Sequence, residues 1–480
     1  MAQGRPKEHL KTPEGLYQLF SERRGGLVSF KPERLPKLAI AEGLSRQKLY
    51  ILHAVAEVVE VCDYGACDKT ALRHICASST TLPTCIAYYP AADSYDLLIG
   101  LNTGEVMVVK LATQLEAAIS NNRALNPIIF SADAAGDASK LVSVAWIPTS
   151  RGCTFVAAHA SGSVFVYPKG SANMSEGSGS MKGSKGSQGR PPATEIRVPG
   201  GVTSAAVSPD GACIATAGVD GVMRIYSMSG GGPTAGFKSY YGGLLCVAWS
   251  HDGRYIATGG EDDLISIYGV LERSVVVWGQ GHTSWVAAVA FDTELNQVQS
   301  QQEQARVLRT MSGNPCSGDD AVYRLGSVGQ DGQLLLWDIS VPSFDYQLSS
   351  SPAMSGASRQ GPASPSRGRY GSSPSSARGY GPQEFPLLDS SSSSPGSQAG
   401  ISPAVARVEM TFCSPATAQR VSTEPLSDLL FTEHAVFVTD QVGAMRCWRR
   451  PPGSEAPSPQ HSPGQVPSAE RASPPEIPAH

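Results

Sequence analysis

VTSAAVSPDGACIATAGVDGVMRIYSM (202–228) is followed, after one short connection, by LLCVAWSHDGRYIATGGEDDLISIYGV (244–270). The two stretches superpose without a gap. Ala206 falls on Ala248, Ser208 on Ser250, Asp210 and Gly211 on Asp252 and Gly253, Ile214 on Ile256, Thr216 on Thr258, and Tyr226 on Tyr268. Each reads as a short apolar strand, an Asp-Gly turn, a second strand, an acidic turn and a third strand that ends in an aromatic. A four-stranded unit that recurs every ~40–45 residues is the signature of a β-propeller blade. Such a fold mostly presents surfaces, so the sequence raises the question of what it holds rather than what it converts.

The pattern continues on both sides. Upstream, Leu27–Phe30, Lys37–Ala41 and Lys48–Val55 read as a degenerate first blade. Thr84–Tyr89, Leu97–Leu101 and Glu105–Lys110 make a second, and Leu141–Ile147, Thr154–His159 and Ser163–Tyr167 a third. Downstream, a sixth blade opens with Ser284–Phe291, breaks off, and resumes with Val322–Val328 and Gln333–Asp338. Leu426–Phe431, Ala435–Thr439 and Ala444–Trp448 make a seventh. The expected fold is therefore an all-β β-propeller of seven blades over residues 14–450, closed by Glu14–Phe20 as a strand borrowed from the opposite end of the chain. Borrowing removes the open edge that would otherwise template aggregation.

Three stretches fall outside the blades as flexible insertions: 170–192, 293–321 and 341–404. Residues 451–480 read as a disordered Pro/Ser-rich tail. Gly, Ser and Pro dominate the first and third insertions and the tail, which hold too little apolar surface to offset the entropy of ordering. Several serines there precede proline (Ser364, Ser373, Ser394, Ser402, Ser458, Ser462, Ser473), as proline-directed kinases require.

Composition excludes several function classes. The 480 residues carry 38 Lys and Arg against 42 Asp and Glu, a net charge of −4. No domain-wide basic field is available for nucleic acid. The N-terminus has no apolar core like that of a secretory signal, and no run approaches the ~18 apolar residues of a membrane span. A soluble protein of the cytoplasm, the nucleus or both is expected. The ten cysteines are scattered. Cys62, Cys67, Cys76 and Cys85 lie closest together but form no C-x-x-C pair, so neither a metal site nor a disulfide framework is expected. No H-E-x-x-H, P-loop or G-x-S-x-G motif occurs. No catalytic residue, cofactor or small-molecule substrate is assigned, and the protein is expected not to be an enzyme.

One blade carries a full set of polar residues for the WD-repeat arrangement. Gly281 and His282 open it, Ser327 lies in its second strand, Asp331 in the following turn, and Trp337 and Asp338 end its third strand. The expectation is a buried chain in which the His282 imidazole bridges Asp331 and Ser327 and Ser327 meets the Trp337 indole, a structural rather than a catalytic role. Asp220 and Asp263 are expected to hold the same turn position in the two preceding blades, whose third strands end in Tyr226 and Tyr268 instead of Trp.

The block KSYYGGLLCVAWSHDGRYIATGGEDDLISIYGVLERSVVVWGQGHTSWVAAVAFD (238–292) resembles the WD-repeat family that contains WD-repeat protein 20, the dystrophia myotonica WD-repeat protein and the fungal catabolite-repression protein CreC. KTPEGLYQL (11–19), YRLGSVGQDGQLLLWDIS (323–340) and SDLLFTEHAVFVTDQVGAMRCWRRP (427–451) extend the resemblance in order. It implies a non-catalytic cofactor that binds and activates a ubiquitin-specific protease, alongside a second WD-repeat protein. Tyr241 and Trp285 match the aromatic positions of that family's partner surface. Independently of the resemblance, both fall in connections between adjacent blades, where a large aromatic either anchors an interface or caps the core beneath it. The acidic run Glu261, Asp262, Asp263 reads as a solvated turn with one structural Asp. Two other roles compete: substrate receptor of a cullin-type ubiquitin ligase, and generic interaction scaffold. Cullin-ligase receptors often carry Arg two residues beyond the Trp-Asp pair; here Trp337 and Asp338 are followed by Ile339 and Ser340.

Overall fold

The strands, lettered a to d outward from the ring axis, repeat seven times around a closed circle. A computed structural model describes residues 8–23, 35–42, 48–66, 69–75, 81–90, 95–119, 127–132, 137–169, 192–293, 295, 321–341, 400–405 and 411–451. Among these residues the strands form seven antiparallel sheets of four, some extended by a fifth strand. Strand a of each blade packs beside strand a of the next, and strand a of blade 7 (Leu426–Phe431) beside that of blade 1 (Lys37–Glu42). Among the described residues no helix is long and apolar enough to cross a membrane.

Blade 5 shows why the sequence folds this way. Its strands b and c, Tyr255–Gly260 and Leu264–Gly269, are buried at every position, because blades cover both faces of each sheet. Strands that reach the rim alternate, as in Thr417–Arg420, where Thr417 and Gln419 are buried and Ala418 and Arg420 exposed. Large residues of one blade meet small ones of the next: the Trp337 ring of blade 6 lies so close to Gly279 of blade 5 that a Cβ there would meet it at 2.8 Å. In blades 2 to 7 the register of a against b slips at the second residue of strand a, for example between Leu244 and Cys246 and between Val286 and Ala288. A bulge at that place adds twist, which lets strand a turn into the ring axis.

The N-terminal segment closes the ring. Gly15–Arg23 pairs antiparallel with Met445–Arg449, with Leu19 opposite Trp448, and His9–Thr12 adds a further strand outside it. Two buried arginines fasten this seam. Arg324 binds Asp338 at 2.5 Å and Glu14 at 2.7 Å. Arg450 grips Asp292 with both Nη atoms at 2.8 Å and reaches the Tyr17 hydroxyl.

Several elements depart from the sequence reading. Blade 1 is a complete sheet of Lys37–Glu42, Leu49–Val55, Val58–Asp63 and Arg73–Ile75, joined by a tight turn in which Ala56 takes a φ of 52°. An Ala in that conformation carries no Gly or Asn signal, so the third strand was not legible. Leu27–Phe30 lies outside the described residues. A helix, Leu111–Ile119, sits between strands c and d of blade 2. Most of the expected insertions and the tail beyond Pro451 also lie outside the described residues. Within 341–404, however, Ile401–Ser402 is a strand, paired parallel to strand d of blade 4 (Ala235–Lys238). Phe412–Cys413 then pairs parallel to strand d of blade 5 (Ser274–Gln280) before the chain enters blade 6 as its strand d, Thr417–Arg420. The edges of two blades take up this returning segment because their outer strands would otherwise leave backbone groups unpaired.

Candidate partner-binding face

The d-to-a connections and the b-to-c turns emerge on one face of the ring, and the polar network beneath them holds that face in shape. In blade 6 the network is complete. His282 Nδ1 lies 3.0 Å from Asp331, His282 Nε2 lies 2.8 Å from the Ser327 hydroxyl, and Trp337 Nε1–H donates to the same hydroxyl oxygen at 2.8 Å. A neutral imidazole with its proton on Nδ1 satisfies every link: it donates to the carboxylate and accepts from Ser327. Burial opposes ionisation of Asp331, but bonds from the His282 ring and from the Thr283 and Gln333 N–H groups outweigh it and hold the carboxyl down at about 2. His282 is thereby committed to two structural bonds.

Blade 5 shows what happens without the histidine. The turn Asp is Asp262, not Asp263. Asp262 Oδ1 accepts from the Leu264 N–H, as Asp331 accepts from Gln333 and Asp220 from Val222. Asp263 takes the left-handed position, φ 61°, that Gly221 and Gly332 occupy in the neighbouring blades. Counting from the last pairs of strand d, Val222 with Lys238 and Leu264 with Gln280, Tyr240 stands where His282 stands. With no imidazole to bind, Asp262 Oδ2 and Thr258 Oγ1 have no hydrogen-bond partner among the described residues. Burial pushes the Asp262 carboxyl up to about 6. In blade 4, Asp220 is held by Arg224.

The aromatic that replaces the histidine turns outward. Tyr240 packs edge-on against Trp278 with ring centroids 5.7 Å apart and is 47% exposed. Tyr241 beside it is 71% exposed, and Trp285, in the next connection of the same face, is 43% exposed. Val219, in the b-to-c turn of blade 4, is exposed as well. The Tyr241 connection is tightly specified. Ser239 N–H bonds the Gly221 carbonyl at 2.7 Å, the Ser239 hydroxyl donates to the Gly242 carbonyl, and Glu261 accepts from the Gly243 N–H at 3.0 Å. Gly242 has a φ of 64°, and a Cβ there would meet the Glu261 side chain at 2.7 Å. The backbone is thus pinned while the ring projects. Trp285 is anchored similarly, its carbonyl accepting from the Gln330 N–H.

The structure therefore brings Tyr241 and Trp285 to one face and adds Tyr240 and Val219, which sequence reasoning missed. The signals were an aromatic in the place of a network histidine and an apolar residue at the tip of an acidic turn. Of the acidic run, Glu261 and Asp262 hold backbone, and only Asp263 lacks such a bond in the described contacts. Among the described residues no group of three or more His, Cys, Asp or Glu side chains is placed to hold a metal ion.

A ring of seven four-stranded blades with this His–Ser–Asp–Trp network defines a WD-repeat β-propeller, and the model of the WD domain, G-beta repeat, matches residues 192–227 and 231–269. Among curated proteins the chain is similar to WD repeat-containing protein 20 of Mus musculus, at 30% identity over 296 residues, 54% of this chain and 50% of that protein. It thus spans about half the length of the curated relative it matches. Among solved structures, a chain in the crystal structure of the mitotic checkpoint complex shares the fold, with a TM-score of 0.54, 11% identity and coverage of 94% of this chain and 95% of that one.

Proposed function

We propose that this chain is a non-catalytic WD-repeat scaffold that binds and activates a ubiquitin-specific protease, acting with a second WD-repeat protein in the cytoplasm, the nucleus or both. The observation that carries the reading is the exposure of Tyr240, Tyr241, Val219 and Trp285 in the connections and turn on one face of blades 4 to 6. Fixed aromatics over a rigid backbone are the side chains that anchor interfaces, because little rotamer entropy is lost on binding. The resemblance of residues 238–292 to the deubiquitinase-cofactor family, and the similarity to WD repeat-containing protein 20, support the choice of partner.

An activator of this kind supplies no reacting group. It shifts the protease toward its competent conformation by binding that conformation more tightly, and each tenfold preference corresponds to ~1.4 kcal/mol. The test is affinity purification with mass spectrometry, followed by ubiquitin-cleavage assays on the recovered protease with purified components. Wild type is expected to recover a ubiquitin-specific protease and raise its turnover. The Tyr241→Ala/Trp285→Ala protein is expected to fold with unchanged Tm yet lose affinity by at least about 30-fold. Recovery of cullin-ligase adaptors without a protease would transfer the face to the substrate-receptor role. Partners retained by the double variant would leave a generic scaffold that uses another surface.

A further inference from the structure

We propose that Ser402 is a phosphorylation site for a proline-directed kinase, and that its modification releases the segment that straps blades 4 and 5. The strap re-enters the fold at Gly400, with a φ of 88° and its Cα placed so that a Cβ would meet the Thr234 carbonyl at 2.7 Å. Ile401 and Ser402 pair parallel with Gly236 and Phe237, the rim strand of blade 4. The strand is two residues long, and among the described residues the packing of Val405 against the core of blades 4 and 5, two pairings and one side-chain bond hold the strap. That bond is the Ser402 hydroxyl donating to the Arg273 carbonyl at 3.1 Å. Arg273 lies in the c-to-d turn of blade 5 with a φ of 54°, and its guanidinium donates to the Thr234 carbonyl of blade 4 at 2.6 Å. Ser402 thus ties the strap to the junction of two blades.

The site is accessible and has the geometry a kinase takes. Ser402 is half-buried, Pro403 and Ala404 are exposed, and the segment runs along the outer rim. Pro403 supplies the determinant of proline-directed kinases and biases Ser402 to the extended backbone seen here. The Ser402 Oγ attacks the γ-phosphoryl group of ATP. The new O–P bond forms as the bond to ADP breaks, and the hydroxyl proton passes to the kinase's base. The product has no hydroxyl hydrogen to donate. It places ~1.5–2 negative charges beside a carbonyl oxygen, which repels it. The Arg273 guanidinium bonds the Thr234 carbonyl through one Nη and keeps N–H groups to spare, but a phosphate that turned toward them would have to turn away from the Arg273 carbonyl that the hydroxyl had bonded, so the strap loses that link either way. The rim strand Ala235–Lys238 would then be open to solvent on its outer side.

The test uses the full chain, treated with a proline-directed kinase and ATP, with phosphosite mapping by mass spectrometry and hydrogen–deuterium exchange before and after. Phosphate at Ser402 is expected, with exchange in 401–402 and 235–238 rising about tenfold or more, the size expected for loss of one bond plus repulsion. In Ser402→Ala the kinase step is expected to leave exchange in those segments unchanged. Pro403→Ala, which keeps the hydroxyl bond, is expected to show wild-type exchange and no phosphate at residue 402. Phosphorylation of other Ser-Pro sites with Ser402 untouched would overturn the proposal. So would a phosphorylated Ser402 with unchanged or slower exchange, the latter showing that Arg273 clamps rather than releases.

Discussion

Asp331 and Asp262 occupy the same turn position in adjacent blades, and one imidazole separates their chemistry. Where His282 is present, the carboxyl is held ionised at about 2; where Tyr240 replaces it, burial drives the carboxyl to about 6. The signs of their stability linkages are opposite. Asp331 binds its proton more weakly folded than unfolded, so its contribution is full above the ordinary carboxylate value and is lost as pH falls from about 4 to about 2. Asp262 binds its proton more tightly folded, so stability falls as pH rises from about 4 through about 6. Asp262→Asn is accordingly expected to raise Tm by ~2–4 °C at pH 7.5 and by little at pH 4, read by differential scanning calorimetry across pH. A flat difference between the two pH values would refute the linkage. Ser327→Ala leaves His282 Nε2 and Trp337 Nε1 without their partner and is expected to cost ~1–3 kcal/mol in urea unfolding.

At the scale of elements, the connection Ser239–Gly243 decides whether the aromatic face exists. Its conformation rests on a left-handed Gly242 pressed against Glu261. Gly242→Ala places a Cβ into that side chain at a positive φ, at a cost of ~1–2 kcal/mol. It is expected to move Tyr241 and weaken partner binding severalfold by calorimetric titration. Gly232→Ala is the control. It lies in the c-to-d turn of blade 4, with nothing within 4 Å of its would-be Cβ, and is expected to leave both stability and binding unchanged. Equal loss of binding in the two variants would show that the connection does not position the site.

The whole molecule is a ring, and its seam is electrostatic as well as hydrogen-bonded. Arg450 joins the last strand to Asp292 at the end of strand a in blade 6 and to Tyr17 of the closing strand. Asp292 is fully buried, so removing its partner leaves an uncompensated charge. Arg450→Met is expected to destabilise the propeller by ~3–5 kcal/mol in chemical denaturation. Arg450→Met/Asp292→Leu is expected to recover a large part of that loss, because an apolar pair does not carry the desolvation cost. A single variant within ~0.5 kcal/mol of wild type would mean that water, not Arg450, satisfies Asp292.

The fold was legible in the sequence because its signals are local. Asp-Gly turns, apolar strands and the 202–228 and 244–270 repeat are encoded within ~40 residues and need no distant partner. Tyr241, before Gly242, and Trp285, after Gly281 and His282, were legible as aromatics at the start of a blade, and the residues of the blade 6 network as a recurring motif. Elements whose stability comes from elsewhere in the chain were not. Val58–Asp63 follows a turn with no Gly or Asn, and Ile401–Ser402 is a strand only because the rim of blade 4 offers it unpaired backbone. Tyr240 looks like any aromatic until strand register puts it in the place of His282, and Asp262 rather than Asp263 becomes the turn residue only once φ is known. The sequence by itself determined how many blades there are and which residue types each carries. Tertiary structure alone decided which aromatics face solvent together, because exposure depends on how neighbouring blades cover a side chain.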